Sequence, residues 1–157
     1  MKTNFLIKAL TIDSFNELIL KNNDELKLAD AAWLNVDAEP GYPCRVSLMD
    51  AKIGERVLAL SFCHNNVNSP YKASGPIFVR ENALTVKLNI NEVPKMLRHR
   101  LLSVRAYNSQ KLMIGAEVTQ GTELESAIGR QFQNSKVEYI HIQNANPGCF
   151  NCSVYRA

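Results

Sequence analysis

The sequence predicts an α+β fold, with a mainly antiparallel, curled or barrel-like sheet and two to four short helices. Three observations carry that expectation. Apolar runs of strand length follow one another with short turns between them, which suits antiparallel neighbours rather than the long crossovers of a parallel sheet. Helical periodicity is confined to a few brief stretches. Hydrophobic residues make up 46% of 157 residues, enough to build a packed core without disulfides or metals.

The elements follow in chain order. Residues 4–10 read as a strand. Ser14 and Glu17 have capping-box spacing, and Phe15, Leu18 and Ile19 form an apolar stripe behind them, so a helix is expected there. A second short helix or turn is expected at 24–30, and a strand at 31–36. Residues 57–62 (Val-Leu-Ala-Leu-Ser-Phe) are almost continuously apolar, as in a strand covered on both faces. Leu84, Val86, Leu88 and Ile90 alternate with Thr85, Lys87 and Asn89, the period-two pattern of a half-buried strand.

A short helix is expected at 92–98, with Pro94 tolerable only in its first turn. Residues 101–107 and 112–118 suit a hairpin, although the turn between them lacks glycine. Thr122 and Glu125 repeat the capping-box spacing ahead of a helix at 122–132, with Leu124, Ala127, Ile128 and Phe132 on its buried face. Strands at 137–143 and 150–156 close the chain. No repeat, linker or low-complexity segment interrupts it, so residues 1–157 are expected to form a single domain.

Charge and termini narrow the function classes. The net charge of +3 is too small to argue for nucleic acid as a partner. Lys95, Arg98, His99 and Arg100 form a basic segment without interleaved aromatics, which reads as a solvated face. Lys8 interrupts the apolar N-terminus and no small-residue cleavage site follows, so no signal peptide is read. No apolar run approaches membrane-spanning length, so no membrane partner is expected and the location reads as cytoplasmic. Without an export signal, Cys44, Cys63, Cys149 and Cys152 are expected as free thiols. Nothing in the sequence sets the oligomeric state.

Three loops concentrate the unusual residues. They are Pro40-Gly41-Tyr42-Pro43-Cys44-Arg45, the stretch from Ser69-Pro70-Tyr71 through Gly75-Pro76-Ile77-Phe78-Val79-Arg80, and Asn144-Ala145-Asn146-Pro147-Gly148-Cys149. With Asp50-Ala51, Gly54-Glu55, Ser103-Val104-Arg105-Ala106-Tyr107 and the final Arg156-Ala157, they resemble a family of small bacterial proteins catalogued only as a domain of unknown function. The resemblance covers most of the chain from Pro40 onward and implies no activity, cofactor or substrate. The chain departs from the family pattern at Gln143, where that pattern has a second histidine after His141, and at Cys63 and Cys152.

The residue types in these loops suggest chemistry of their own. A cation beside a cysteine favours the thiolate, so Cys44 next to Arg45 is a candidate nucleophile. His141 is a candidate base and Asn144 an orienting donor. The opposing reading has Cys44 packed as a small hydrophobe beside the Gly-Pro turn. Arg45, Arg80 and Arg105 offer planar forks of donors for a carboxylate or phosphate, with Tyr71, Asn144 and Cys149 as further ligand contacts.

Cys149-x-x-Cys152 has zinc-knuckle spacing, with Cys63-His64 and Cys44 as possible completing ligands. A regular strand would aim Cys149 and Cys152 to opposite faces, so no metal is expected, and no cofactor motif is present. Two functional expectations result. One is a pocket at which the three loops converge on a small anionic molecule, binding or transforming it. The other is a non-enzymatic interaction module in which the Gly/Pro motifs only fix turns, and Tyr42, Tyr71 and Phe78 serve packing or an interface.

Overall fold

The computed structural model describes residues 2–157; Met1, with which the expected domain begins, lies outside them. The fold is α+β and mainly antiparallel sheet, as the sequence predicts. Among the described residues eight strands form two sheets: β1 (Phe5–Lys8), β2 (Ala31–Asn35), β3 (Arg56–Asn65), β4 (Ala73–Arg80), β5 (Leu101–Tyr107), β6 (Met113–Gln120), β7 (Tyr139–Asn144) and β8 (Phe150–Arg156). One sheet has the order β1-β8-β7-β5-β6 and the other β2-β3-β4, and neither closes on itself. The described residues also form four short helices: α1 (Asn16–Ile19), α2 (Asn23–Leu28), α3 (Lys95–Arg98) and α4 (Leu124–Phe132). Among the described residues no helix is long and apolar enough to cross a membrane.

The five-stranded sheet has one apolar face. Leu102, Val104 and Ala106 of β5 and Ile140 and Ile142 of β7 pack there against Leu124, Ala127, Ile128 and Phe132 of α4, the stripe its periodicity predicts. The other face is polar and aromatic. Antiparallel register sets Ser103, Arg105 and Tyr107 opposite Gln143, His141 and Tyr139. The β5–β6 hairpin forms without glycine because Asn108 Oδ1 accepts from the Gln110 and Leu112 amides, while Lys111 takes the left-handed conformation at φ 64°.

The strand read at 57–62 is the middle of the three-stranded sheet, and its side chains form a second core with Phe15, Leu26 and Ile77. The segment carrying Cys44 and Arg45 ties the two sheets together. Cys44 bridges Phe78 of β4, the Arg45 amide donates to the Phe78 carbonyl at 3.0 Å, and the Arg45 side chain reaches β8.

Three local readings need correction. The alternating stretch at 84–90 is extended but makes only a single bridge, Lys8 to Lys87, with Leu84 and Ile90 exposed. The Ser14–Glu17 spacing does not cap a helix: the chain enters by a 3-10 turn, Ile12–Phe15, with no side-chain cap. Thr122 likewise lies within a 3-10 turn, Gly121–Glu123, ahead of α4. The true capping box is at Asn22, whose side chain accepts from the Glu25 amide at 2.9 Å while Glu25 returns the bond. At Thr122 a tertiary contact overrode the local signal. Gly121 shows why: it lies against the Leu97 backbone, where any Cβ would collide with a carbonyl, so packing sets that turn.

Candidate functional site

The three loops converge. Gly41, Pro43 and Arg45 from the first, Pro76 and Phe78 from the second, and Asn144, Asn146, Pro147 and Cys149 from the third line one cavity of about 480 Å³, together with Arg100 and Leu101. The third loop is the β7–β8 hairpin turn. The Gly148 amide donates to the Asn144 carbonyl, the Asn144 amide donates to the Cys149 carbonyl, and Gly148 closes the turn at φ 79°, where a side chain would be strained.

Arg45 lines this cavity and is 1% exposed. Its Nε donates to the Phe150 carbonyl at 2.6 Å and its Nη1 to the Pro43 carbonyl at 2.5 Å. The guanidinium also sits 5.8 Å from the Phe78 ring centre, within cation–π range. Burial pulls the Arg45 pKa below its ordinary value, while the nearby sulfurs of Cys149 and Cys44 favour the cation. Arginine keeps its charge under such conditions.

The other arginines show how unusual this is. Arg56 pairs with Glu81, Arg80 with Glu55, Arg98 with Glu125, Arg100 with Asp50 and Arg130 with Glu117. Among the described residues Arg45, Arg105 and Arg156 have no carboxylate partner, and of these Arg45 is the fully buried one.

Cys149 lies on the same cavity and is half-buried. Asn144 Nδ2 donates to its Sγ at 3.1 Å, and Asn151 Nδ2 donates to Asn144 Oδ1 at 2.9 Å, which fixes the orientation of the Asn144 amide. Arg45, Asn144 and Cys149 are thus brought together.

The remaining candidates are elsewhere. Cys44 is fully buried, and its Sγ accepts from the Ser47 and Arg80 amides at 3.4 and 3.3 Å. Arg80 makes a two-pronged pair with Glu55, at 2.8 and 2.7 Å, which occupies its fork. Tyr71 is exposed, with its ring edge-on to Tyr107 at 6.1 Å.

His141 belongs to the polar sheet face and is enclosed by rings. Tyr107, Tyr139, Phe150 and His64 surround it at 5.4, 5.1, 5.0 and 6.0 Å between centres. Burial, then His64 and Arg105, push its pKa down to about 3, so it is neutral at ordinary pH. Its buried Nδ1 has no hydrogen-bond partner. Among the described residues no hydrogen bond joins His141 to Cys44 or to Cys149. Arg105 lies beside this cluster, its Nε donating to Ser103 Oγ at 3.1 Å.

Sequence reasoning passed over Arg100, which lines the cavity rim, and read it as part of a solvated basic face. Its position immediately before β5 was the available signal. Arg100 is instead held by both oxygens of Asp50, at 2.5 and 3.1 Å, and His99 Nε2 meets the same carboxylate at 3.0 Å. Among the described residues no three His, Cys, Asp or Glu side chains gather to hold a metal ion.

Comparison with the curated proteins and with the solved structures finds no match. The family described as Protein of unknown function (DUF1203) matches residues 41–156, a span that includes the cavity-lining residues of all three loops, and the chain belongs to that family.

Proposed function

We propose that the protein binds a small organic anion in the loop cavity, with the anionic group on Arg45 and an apolar body against Phe78, Leu101 and the prolines. One observation carries this reading: a fully buried guanidinium faces a cavity without a carboxylate to neutralise it. A buried charge is costly unless paired, and elsewhere this chain supplies carboxylates for the half-buried Arg80 and Arg100. Asn144 adds a neutral amide at the same wall. The mostly apolar lining and the mild net charge favour a small carboxylate or phosphate ester over nucleic acid.

Calorimetric titration with benzoate, and with benzamide as its neutral counterpart, tests the proposal. Benzoate is expected to bind and benzamide to bind at least about tenfold more weakly, since one unit charge in a partly desolvated site is worth more than that factor. Replacement Arg45→Gln should abolish the difference. Equal binding of the two compounds, or none, would overturn the reading.

A second reading is favoured by Cys44 and Arg80, whose side chains are committed to internal contacts. On it the loops are structural and the domain is an interaction module. It predicts no benzoate binding at all.

A further inference from the structure

We propose that Cys149 is a nucleophile, presented by Arg45 and Asn144 to small carboxylates that carry an electrophilic carbon. The inference rests on the anion site proposed above and adds a reacting atom to it. Three observations place that atom at Cys149 rather than at Cys44.

The Cys44 sulfur is fully buried and accepts two backbone amides, so nothing can approach it. Cys152 is equally buried, and burial pushes its pKa up to about 12. Cys149 alone among the cysteines lines the cavity. Two donors also lie on its side of the cavity. Asn144 Nδ2 donates to Sγ, and Arg45, 1% exposed and without a carboxylate, faces the same space. The thiolate is the attacking form of cysteine, and both donors would hold it once its proton has passed to solvent.

The step is a displacement. The thiolate attacks the electrophilic carbon, an S–C bond forms, the bond from that carbon to the leaving group breaks, and the leaving group departs with the electron pair. The carboxylate of the reactant remains unchanged on Arg45. Holding that carboxylate sets the distance between carbon and sulfur, which is where the rate advantage arises.

The experiment alkylates the native protein with iodoacetate and, separately, with iodoacetamide, and reads each cysteine by peptide mass mapping over time. Cys63 is half-buried like Cys149 and serves as the internal reference. The ratio of iodoacetate to iodoacetamide rates is expected to be at least about tenfold higher at Cys149 than at Cys63, from the single favourable charge of Arg45. Saturating benzoate should remove that excess, and Arg45→Lys should retain part of it.

Equal ratios at the two cysteines would overturn the carboxylate-directed nucleophile. An unreactive Cys149 in a protein that binds benzoate would overturn the nucleophile and leave the anion site standing. Reaction at Cys149 that benzoate does not slow, in a protein that does not bind benzoate, would remove the anion site instead, and this inference with it. If Arg45→Lys does not fold, the comparison of Cys149 with Cys63 in the unaltered protein decides alone.

Discussion

The loop cavity and the polar sheet face each bury an ionisable group, and they treat it in opposite ways. In the loop cavity Arg45 keeps its charge: two carbonyls, an aromatic face and a sulfur surround it, and space lies in front of it. On the polar sheet face His141 loses its charge: four rings enclose it and its pKa falls to about 3. Both are almost fully buried. The contrast separates a buried group that can serve a ligand from one that serves packing. A retained charge with open volume points to a partner, whereas a neutralised group filled in by neighbours points to a core.

The two regions share strand β8. Its first residue, Phe150, gives its carbonyl to Arg45 and its ring to the His141 cluster. The largest expected effect is therefore truncation. Removing residues 153–157 takes away all four pairs between β8 and β1 and exposes Ile140 and Ile7, which lie against Val154. Cooperative unfolding should be lost, as followed by circular dichroism on heating. Retained stability would refute the placement of β8 inside the sheet.

The next effect probes the His141 side. An imidazole that stays neutral in the fold but charges in the unfolded chain makes the unfolded state bind more protons below pH 6.5. Stability is then lost as pH falls from about 6.5 toward 3. Between pH 7 and pH 5 this contribution is about 2 kcal/mol. His64, lowered by burial and by Arg105, adds in the same direction. Replacement His141→Phe should fill the same ring-lined space and flatten the urea-unfolding free energy over that interval. An unchanged slope would show that His141 is not held neutral.

The smallest effect concerns the arginine that is already satisfied. Glu55→Gln removes the carboxylate from Arg80, a partly exposed pair, and should cost about 1 kcal/mol or less. It should leave benzoate affinity unchanged, because Arg80 does not face the loop cavity. A large loss of affinity would move the anion site toward Arg80.

Much of this arrangement was legible in the sequence. Period-two and period-3.6 patterns located most strands and the buried stripe of α4, because burial there follows residue spacing directly. The three loops were identifiable from Gly, Pro and Asn clusters, which mark places where the backbone is specially constrained. The pattern at 84–90 misled because alternation records which residues meet a core, and Val86 and Leu88 meet it without a second strand beside them. The roles of the cysteines and arginines were not legible. Cys44 and Cys149 both neighbour distinctive turns, and only the fold shows one sealed by amides and the other on a cavity. Arg80 has Glu55 within reach and Arg45 has backbone carbonyls instead, contacts made across strands and loops.

The central claim is that an anion enters the loop cavity and meets Arg45. Titrating isotope-labelled protein with benzoate while recording nitrogen–proton correlation spectra tests it most directly. The account predicts saturable shifts at the Arg45 Nε–H and at the amides of Asn144 and Cys149, with the His141 cluster unmoved and with benzamide producing little change at equal concentration. Shifts confined to Arg80 or Arg105, or no saturable shift at Arg45, would contradict it.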